Sequence, residues 1–179
     1  RPPRSTLFPY TTLFRSATVS NDRSVGIEIA NIGAYPAGKD DTLRVWYGLD
    51  EKGRTVITLP SRLGDGGVRT PGFVGVPARP GPIEGRIQGA TYRMHDLTAE
   101  QYDSLVKLTA TLCMVLPRIR CDYPRGPDGE LLTSKLSEDD LAAYSGLIGH
   151  YHIQANKVDP GPAFQWDMVV RRARAMMRR

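Results

Sequence analysis

Apolar and polar positions alternate most sharply in two stretches of the chain, with two different periods. In residues 24–30, SVGIEIA, the side chains of Val25, Ile27 and Ile29 fall on one face and Glu28 on the other. That period of two predicts a β-strand with Glu28 pointing away from the aliphatic face. In residues 98–116, Tyr102, Leu105, Val106, Thr109, Leu112, Cys113 and Leu116 form one stripe at helical spacing. Thr98 followed three residues later by Gln101 is the signature of a capping box, and Pro117 ends the predicted helix because its ring cannot continue one.

A shorter helix is predicted from Ser137, where Glu138, Asp139 and Asp140 suit the positive end of a helix dipole, and it stops by Gly146. Residues 147–153 read as extended, and a last helix runs from about Asp167 into a cluster of arginines. Residues 33–89 are rich in Gly and Pro, with strand-like pieces at 43–47 and 55–59. Within them the run DGGVRTPGFVGVPARPGP reads as a long ordered loop, because Gly and Pro interrupt it too often for regular structure. Long loops of this kind often carry function, which makes it a candidate wall of a substrate groove.

Composition narrows the classes. With 179 residues, 40% hydrophobic and 24% charged, the chain has the make-up of a globular domain and is neither collagen-like nor wholly disordered. No stretch approaches the roughly 18 to 20 apolar residues that cross a bilayer, and the start of the chain lacks the apolar core of a signal peptide. A single domain is the expectation for this length. Cys113 and Cys121 allow one bridge and no CxxC pattern. Cys113 lies on the predicted buried stripe and reads as a small core residue, with a bridge to Cys121 left open.

Residues 1–16, RPPRSTLFPYTTLFRS, read as a translated sequencing-library adapter and carry no amphipathic period, so the natural sequence is expected to start near Ala17. This changes the charge argument. Setting aside Arg1, Arg4 and Arg15 leaves 21 basic residues against 19 acidic ones, so the net charge of +5 falls to +2. A case for nucleic acid from charge then rests on Arg171, Arg172, Arg174, Arg178 and Arg179 alone, and cations also suit a helix C-terminus. No nucleic-acid partner is expected.

The densest chemistry lies in residues 146–166, GLIGHYHIQANKVDPGPAFQW, where His150, His152, Lys157 and Asp159 fall within ten positions. Imidazole and carboxylate are both zinc ligands, and a catalytic zinc takes three protein ligands with an open fourth position. The prolines of Asp159-Pro160-Gly161-Pro162 restrict the turn that carries the carboxylate. By residue type and spacing, the segment is either a metal site or a capped turn bearing histidines.

The pair of motifs NDRSVGIEIANIG, residues 21–33, and GHYHIQANKVDPGPAFQW, residues 149–166, resembles the zinc-dependent N-acetylmuramoyl-L-alanine amidase family. That family includes muropeptide amidases, phage lysozyme-like amidases and animal peptidoglycan-recognition proteins. The resemblance runs from about Asn21 to the end of the chain and includes the long helix. It implies an α/β fold in one domain, a central mixed β-sheet flanked by helices, with the first strand missing here. It also implies Zn2+ as cofactor and peptidoglycan or a muropeptide as the substrate partner.

Carried over by position, His150 and Asp159 match zinc ligands of the family, Lys157 matches the lysine facing the scissile carbonyl, and Glu28 matches the acidic residue that handles the proton of the attacking water. His152 has no constant role in the family and is expected to orient its neighbours or lie at the surface. Asn21 and Asn31 are expected to shape the turns around the Glu28 strand. The family's further histidine ligand stands upstream of the VGIE motif, whereas His95 lies downstream of it. The adapter-like start is therefore expected to have displaced that ligand and any signal peptide, leaving residues 17–179 as an incomplete catalytic domain. The parent protein would work in the periplasm or at the cell wall. The resemblance thus implies hydrolysis of the amide joining the lactyl group of N-acetylmuramic acid to L-alanine. The rival expectation is a homologue that binds muropeptides without cleaving them.

Overall fold

A computed structural model of the chain describes residues 23–64, 66–67, 70 and 73–178. The adapter-like residues 1–16 and Asn21 lie outside them. The chain is a single α/β domain of helices and small antiparallel sheets. Strand β1 (Tyr35–Pro36), helix α1 (Asp41–Trp46), β2 (Tyr47–Leu49) and β3 (Thr55–Ile57) come first, followed by a 3-10 turn at Ser61–Leu63. Next are β4 (Pro82–Ile87), β5 (Ala90–His95), α2 (Ala99–Val115), α3 (Glu138–Ala143), α4 (His150–Ile153) and α5 (Trp166–Met177). The main sheet has the order β1-β5-β4, and β2 pairs with β3 in a separate hairpin. All of these pairings are antiparallel.

Helix α2 forms where its pattern places it. The Thr98 side chain accepts from the Gln101 amide at 3.2 Å, and the Gln101 side chain accepts from the Thr98 amide at 2.9 Å. Two N–H groups that the first turn would leave without partners are thereby satisfied. Tyr102, Leu105, Val106, Ala110 and Cys113 are buried and pack with Val169, Val170 and Ala173 of α5 and with Trp166. Ser137 caps α3, accepting from the Asp140 amide at 3.0 Å. At the far end of α5, Arg172 pairs with Asp103 at 2.7 Å and Arg174 with Asp122 at 3.2 Å, so two of the clustered arginines tie the helix to the body of the domain. Cys113 and Cys121 are both free and buried, and burial pushes the Cys113 thiol up to about 11.

Three local expectations are corrected. Residues 24–30 belong to no strand or helix, and Val25 and Ile27 are exposed. A strand needs a neighbour to take its backbone groups, and among the described residues none lies in register with this segment. Residues 43–46 are helical, with Leu43 turned inward while Arg44 and Val45 face solvent, and the strand starts only at the buried Tyr47. Residues 150–153 form α4 rather than continuing an extended run, since the side chain of His152 folds back to cap the turn.

The β4–β5 hairpin begins in the last residues of the Gly/Pro-rich region and continues past it. Its turn is Gln88-Gly89, with φ of 52° and 77°, the left-handed backbone of a tight hairpin turn. The long loop is a loop in the structure: from Gly66 to Gly81 the described residues hold turns and the isolated bridge between Pro77 and Thr98, and no strand or helix.

Candidate functional site

A buried polar cluster fixes the chain that follows Asp159. Asp96, 2% exposed, accepts from Arg79 Nε at 2.7 Å, the Tyr102 hydroxyl at 2.6 Å, Gln165 Nε2 at 2.9 Å and the Leu97 amide at 2.9 Å. Arg79 and Tyr102 also donate to the Ala163 carbonyl. A buried carboxylate is tolerable only when its oxygens are satisfied in this way. The cluster joins the long loop, helix α2 and the segment leading into α5, and so sets the path of the chain just after Asp159.

Helix α4 carries His150. Gly149 allows this placement, because a Cβ there would stand 2.5 Å from Pro160 Cδ and 3.1 Å from the Asp159 carbonyl oxygen. The close approach lets the Tyr151 amide donate to the Asp159 carbonyl at 3.3 Å, drawing α4 against the Asp159-Pro160 turn. His152 is wholly buried. Its Nδ1 accepts from the Gly149 amide at 2.9 Å and its Nε2 donates to the Leu132 carbonyl at 2.7 Å. Acceptance at Nδ1 requires the neutral ring, and burial lowers its pKa to about 4. His152 thus orients its surroundings, one of the two roles expected of it.

These constraints bring His150 and Asp159 together, with Nδ1 of the ring 3.2 Å from Oδ2 of the carboxylate. The other ring nitrogen, Nε2, lies 3.0 Å from Oε1 of Gln154, one helical turn on. The His150 side chain is 29% exposed and that of Asp159 63%. Both residues line a cavity of about 780 Å³ that Glu28 and Asn31 also line. Its interior is mostly aliphatic and aromatic, including Leu105, Leu112 and Trp166.

Glu28 itself is exposed on the segment that precedes β1. That segment is held at both ends. Arg23 donates to the carbonyls of Ala142 and Tyr144 at 2.7 and 2.9 Å, while Gln101 Nε2 donates to the Ala30 carbonyl at 2.6 Å. Asn31 shapes the turn that follows, accepting from the Gly33 amide at 2.8 Å. Lys157 is half-buried on the turn before Asp159, its amide donating to the Gln154 carbonyl at 3.1 Å, and it lies outside the lining of that cavity. His95 is buried and stacked on Tyr47, with ring centroids 3.9 Å apart.

The donor set suits zinc in two of its positions. Two ligand atoms on a tetrahedral zinc with bonds of about 2.0 to 2.2 Å stand roughly 3.3 to 3.5 Å apart, close to the His150–Asp159 separation. Among the described residues no group of three His, Cys, Asp or Glu side chains converges on one point. Gln154, the residue that follows α4, carries no chemical motif in the sequence that would point to it. Comparison with family models, curated proteins and solved structures finds no match to this chain. Among the described residues, no helix is long and apolar enough to cross a membrane.

Proposed function

We propose that the chain derives from a zinc-dependent amidase that cleaves the bond between the lactyl group of N-acetylmuramic acid and L-alanine of the stem peptide. The observation that carries this reading is the convergence of His150 Nδ1 and Asp159 Oδ2 at 3.2 Å on the wall of a cavity that Glu28 also lines. His150 and Asp159 would hold the metal. Bound zinc supplies a nucleophile at neutral pH and polarises the scissile carbonyl.

Glu28 takes a proton from the attacking water and returns it to the leaving amine, for which a carboxylate needs only hydrogen-bond reach. Lys157 donates to the carbonyl oxygen as charge develops there, an interaction worth about 3 to 4 kcal/mol of barrier in well-placed cases. Its flexible four-carbon stem lets the ammonium approach from outside the cavity lining. The aliphatic wall excludes water from the reacting bond.

The test is incubation of the zinc-supplemented parent protein, with its natural sequence ahead of Ala17, with a purified muropeptide, release of the free stem peptide being followed by chromatography. Cleavage that disappears in Glu28→Ala supports the reading, and absence of cleavage alongside tight muropeptide binding overturns it. That second outcome is the binding-only alternative, favoured by one observation: the described residues bring two metal-ligating side chains together rather than three.

A further inference from the structure

We propose that Cys113 and Cys121 close into a disulfide when the chain folds under oxidising conditions, and that the bridge staples the last turn of α2 to the loop leading to His150. The bridge requires neither metal nor substrate, so it stands or falls apart from the zinc reading. Cys113 lies in the last turn of α2, and the chain reverses direction soon after it. The Leu116 amide donates to the Leu112 carbonyl and the Ile119 amide to the Leu116 carbonyl, both at 2.8 Å. This tight return brings Cys121 back beside the helix, where the two thiols hydrogen-bond to each other. Both are buried in the core shared by α2 and α5, and the Cys121 thiol also donates to the Val170 carbonyl at 3.8 Å. The chain has no other cysteine to compete for either sulfur.

The residues beside Cys121 hold the loop that the bridge would fix. The Arg120 amide donates to the Ser145 carbonyl and the Leu147 amide to the Asp122 carbonyl, both at 2.8 Å. From α5, Arg174 Nε donates to the Cys121 carbonyl at 2.8 Å. Cys121 is thus the centre of a short strip that touches α2, α5 and residues 145–147, just ahead of Gly149 and His150. A covalent link at its sulfur keeps this strip against α2, where hydrogen bonds alone hold it in the reduced chain.

Closure is an oxidation, with a small disulfide such as oxidised glutathione as the oxidant. Each cysteine gives up its proton and one electron, the Sγ–Sγ bond forms, and the S–S bond of the oxidant is reduced to two thiols. The attacking species is a thiolate. Burial pushes the Cys113 thiol up to about 11 and the Cys121 thiol in the same direction, so exchange is slow once the core has formed. The bridge is therefore set fastest during folding, while both sulfurs are still open to solvent.

The test uses the full chain, unfolded in guanidinium chloride with reductant and refolded with either oxidised or reduced glutathione. Remaining thiols are blocked with iodoacetamide in denaturant, and the intact mass and the cross-linked peptide are read by mass spectrometry. The expected product of oxidative refolding is a monomer without alkylation that has lost two hydrogens and yields a Cys113–Cys121 peptide. It should melt about 5 to 10 °C above the reduced protein, the usual worth of a short closed loop in a chain of this size. Hydrogen exchange at the Leu147 amide should be slower in the bridged form. Reducing that protein in denaturant and refolding it without oxidant should restore the lower melting temperature. Two alkylated thiols after oxidative refolding, a glutathione adduct in place of the bridge, or links only between molecules would overturn the proposal. So would a bridged monomer that melts no higher than the reduced one, or Leu147 exchange that is equal in the two forms.

Discussion

Helix α2 and the segment 23–33 both carry regular apolar patterns, yet only the helix buries most of its stripe, from Tyr102 to Cys113, with Leu112 half-buried and Leu116 exposed. The helix closes its own backbone hydrogen bonds, so its apolar stripe needs only a surface to lie on, and α5 supplies it. The segment 23–33 has to find its backbone partners elsewhere. What it finds are side chains at its two ends, from Gln101 to the Ala30 carbonyl and from Arg23 to the loop after α3. Residues 27–29 and 31 line two cavities, of about 780 and 570 Å³, and so stand as a partition with space on both sides. A periodic sequence guarantees a packed element only when that element can satisfy its own backbone.

The contrast can be broken in several ways. The largest expected effect is on chemistry: Glu28→Ala should lower amide hydrolysis by about 100- to 10,000-fold, the usual worth of a positioned general base. Because Glu28 is exposed, the midpoint of urea unfolding should stay unchanged. A comparable loss of stability in that variant would mean that the segment 23–33 is structurally committed after all.

On the helical side, Asp96→Ala should cost about 3 to 5 kcal/mol in denaturant unfolding, since it leaves Arg79, the Tyr102 hydroxyl and Gln165 without their shared acceptor. A loss under 1 kcal/mol would show that the cluster does not tie the long loop to α2. Acidification should act on the same half of the molecule. His152, with its pKa lowered to about 4, and His95, also lowered by burial, stay neutral in the fold while their unfolded forms take up protons near pH 6.5.

The contribution of His152 is complete above about pH 6.5 and is lost as pH falls toward 4, with about 3 kcal/mol at stake, and that of His95 has the same sign. Thermal unfolding followed between pH 7 and 4 measures it, and a flat profile would contradict the burial of both rings. Smaller still, Thr98→Ala should cost about 1 kcal/mol through loss of the capping box. Ile27→Ser, at an exposed position of the segment 23–33, should change stability by less than about 0.5 kcal/mol.

The site was legible to a similar, uneven degree. His150 and Asp159 could be paired from their spacing and the proline-rich turn, and the two side chains do meet. Glu28, more than a hundred residues earlier in the chain, lines the same cavity. Gln154 and Gln88 were not legible, because an amide gains its meaning from what faces it and neither belongs to a chemical motif. The β4–β5 hairpin escaped notice for a related reason: the glycines and prolines around it resemble those of a loop until Gln88-Gly89 is seen to close a tight turn.

Local chemistry alone determined the capped helices α2 and α3, the start of α5 near Asp167 and the crowding of metal-ligating residue types into one short stretch. Each depends on contacts only a few residues apart, which any compact arrangement of this chain preserves. Tertiary structure decided that residues 24–30 remain outside the sheet, that His152 is buried and neutral, and that His150 faces Asp159 on one edge and Gln154 on the other. Strand pairing, burial and ring orientation all depend on groups brought from elsewhere in the chain, and local pattern carries no information about which of them arrive.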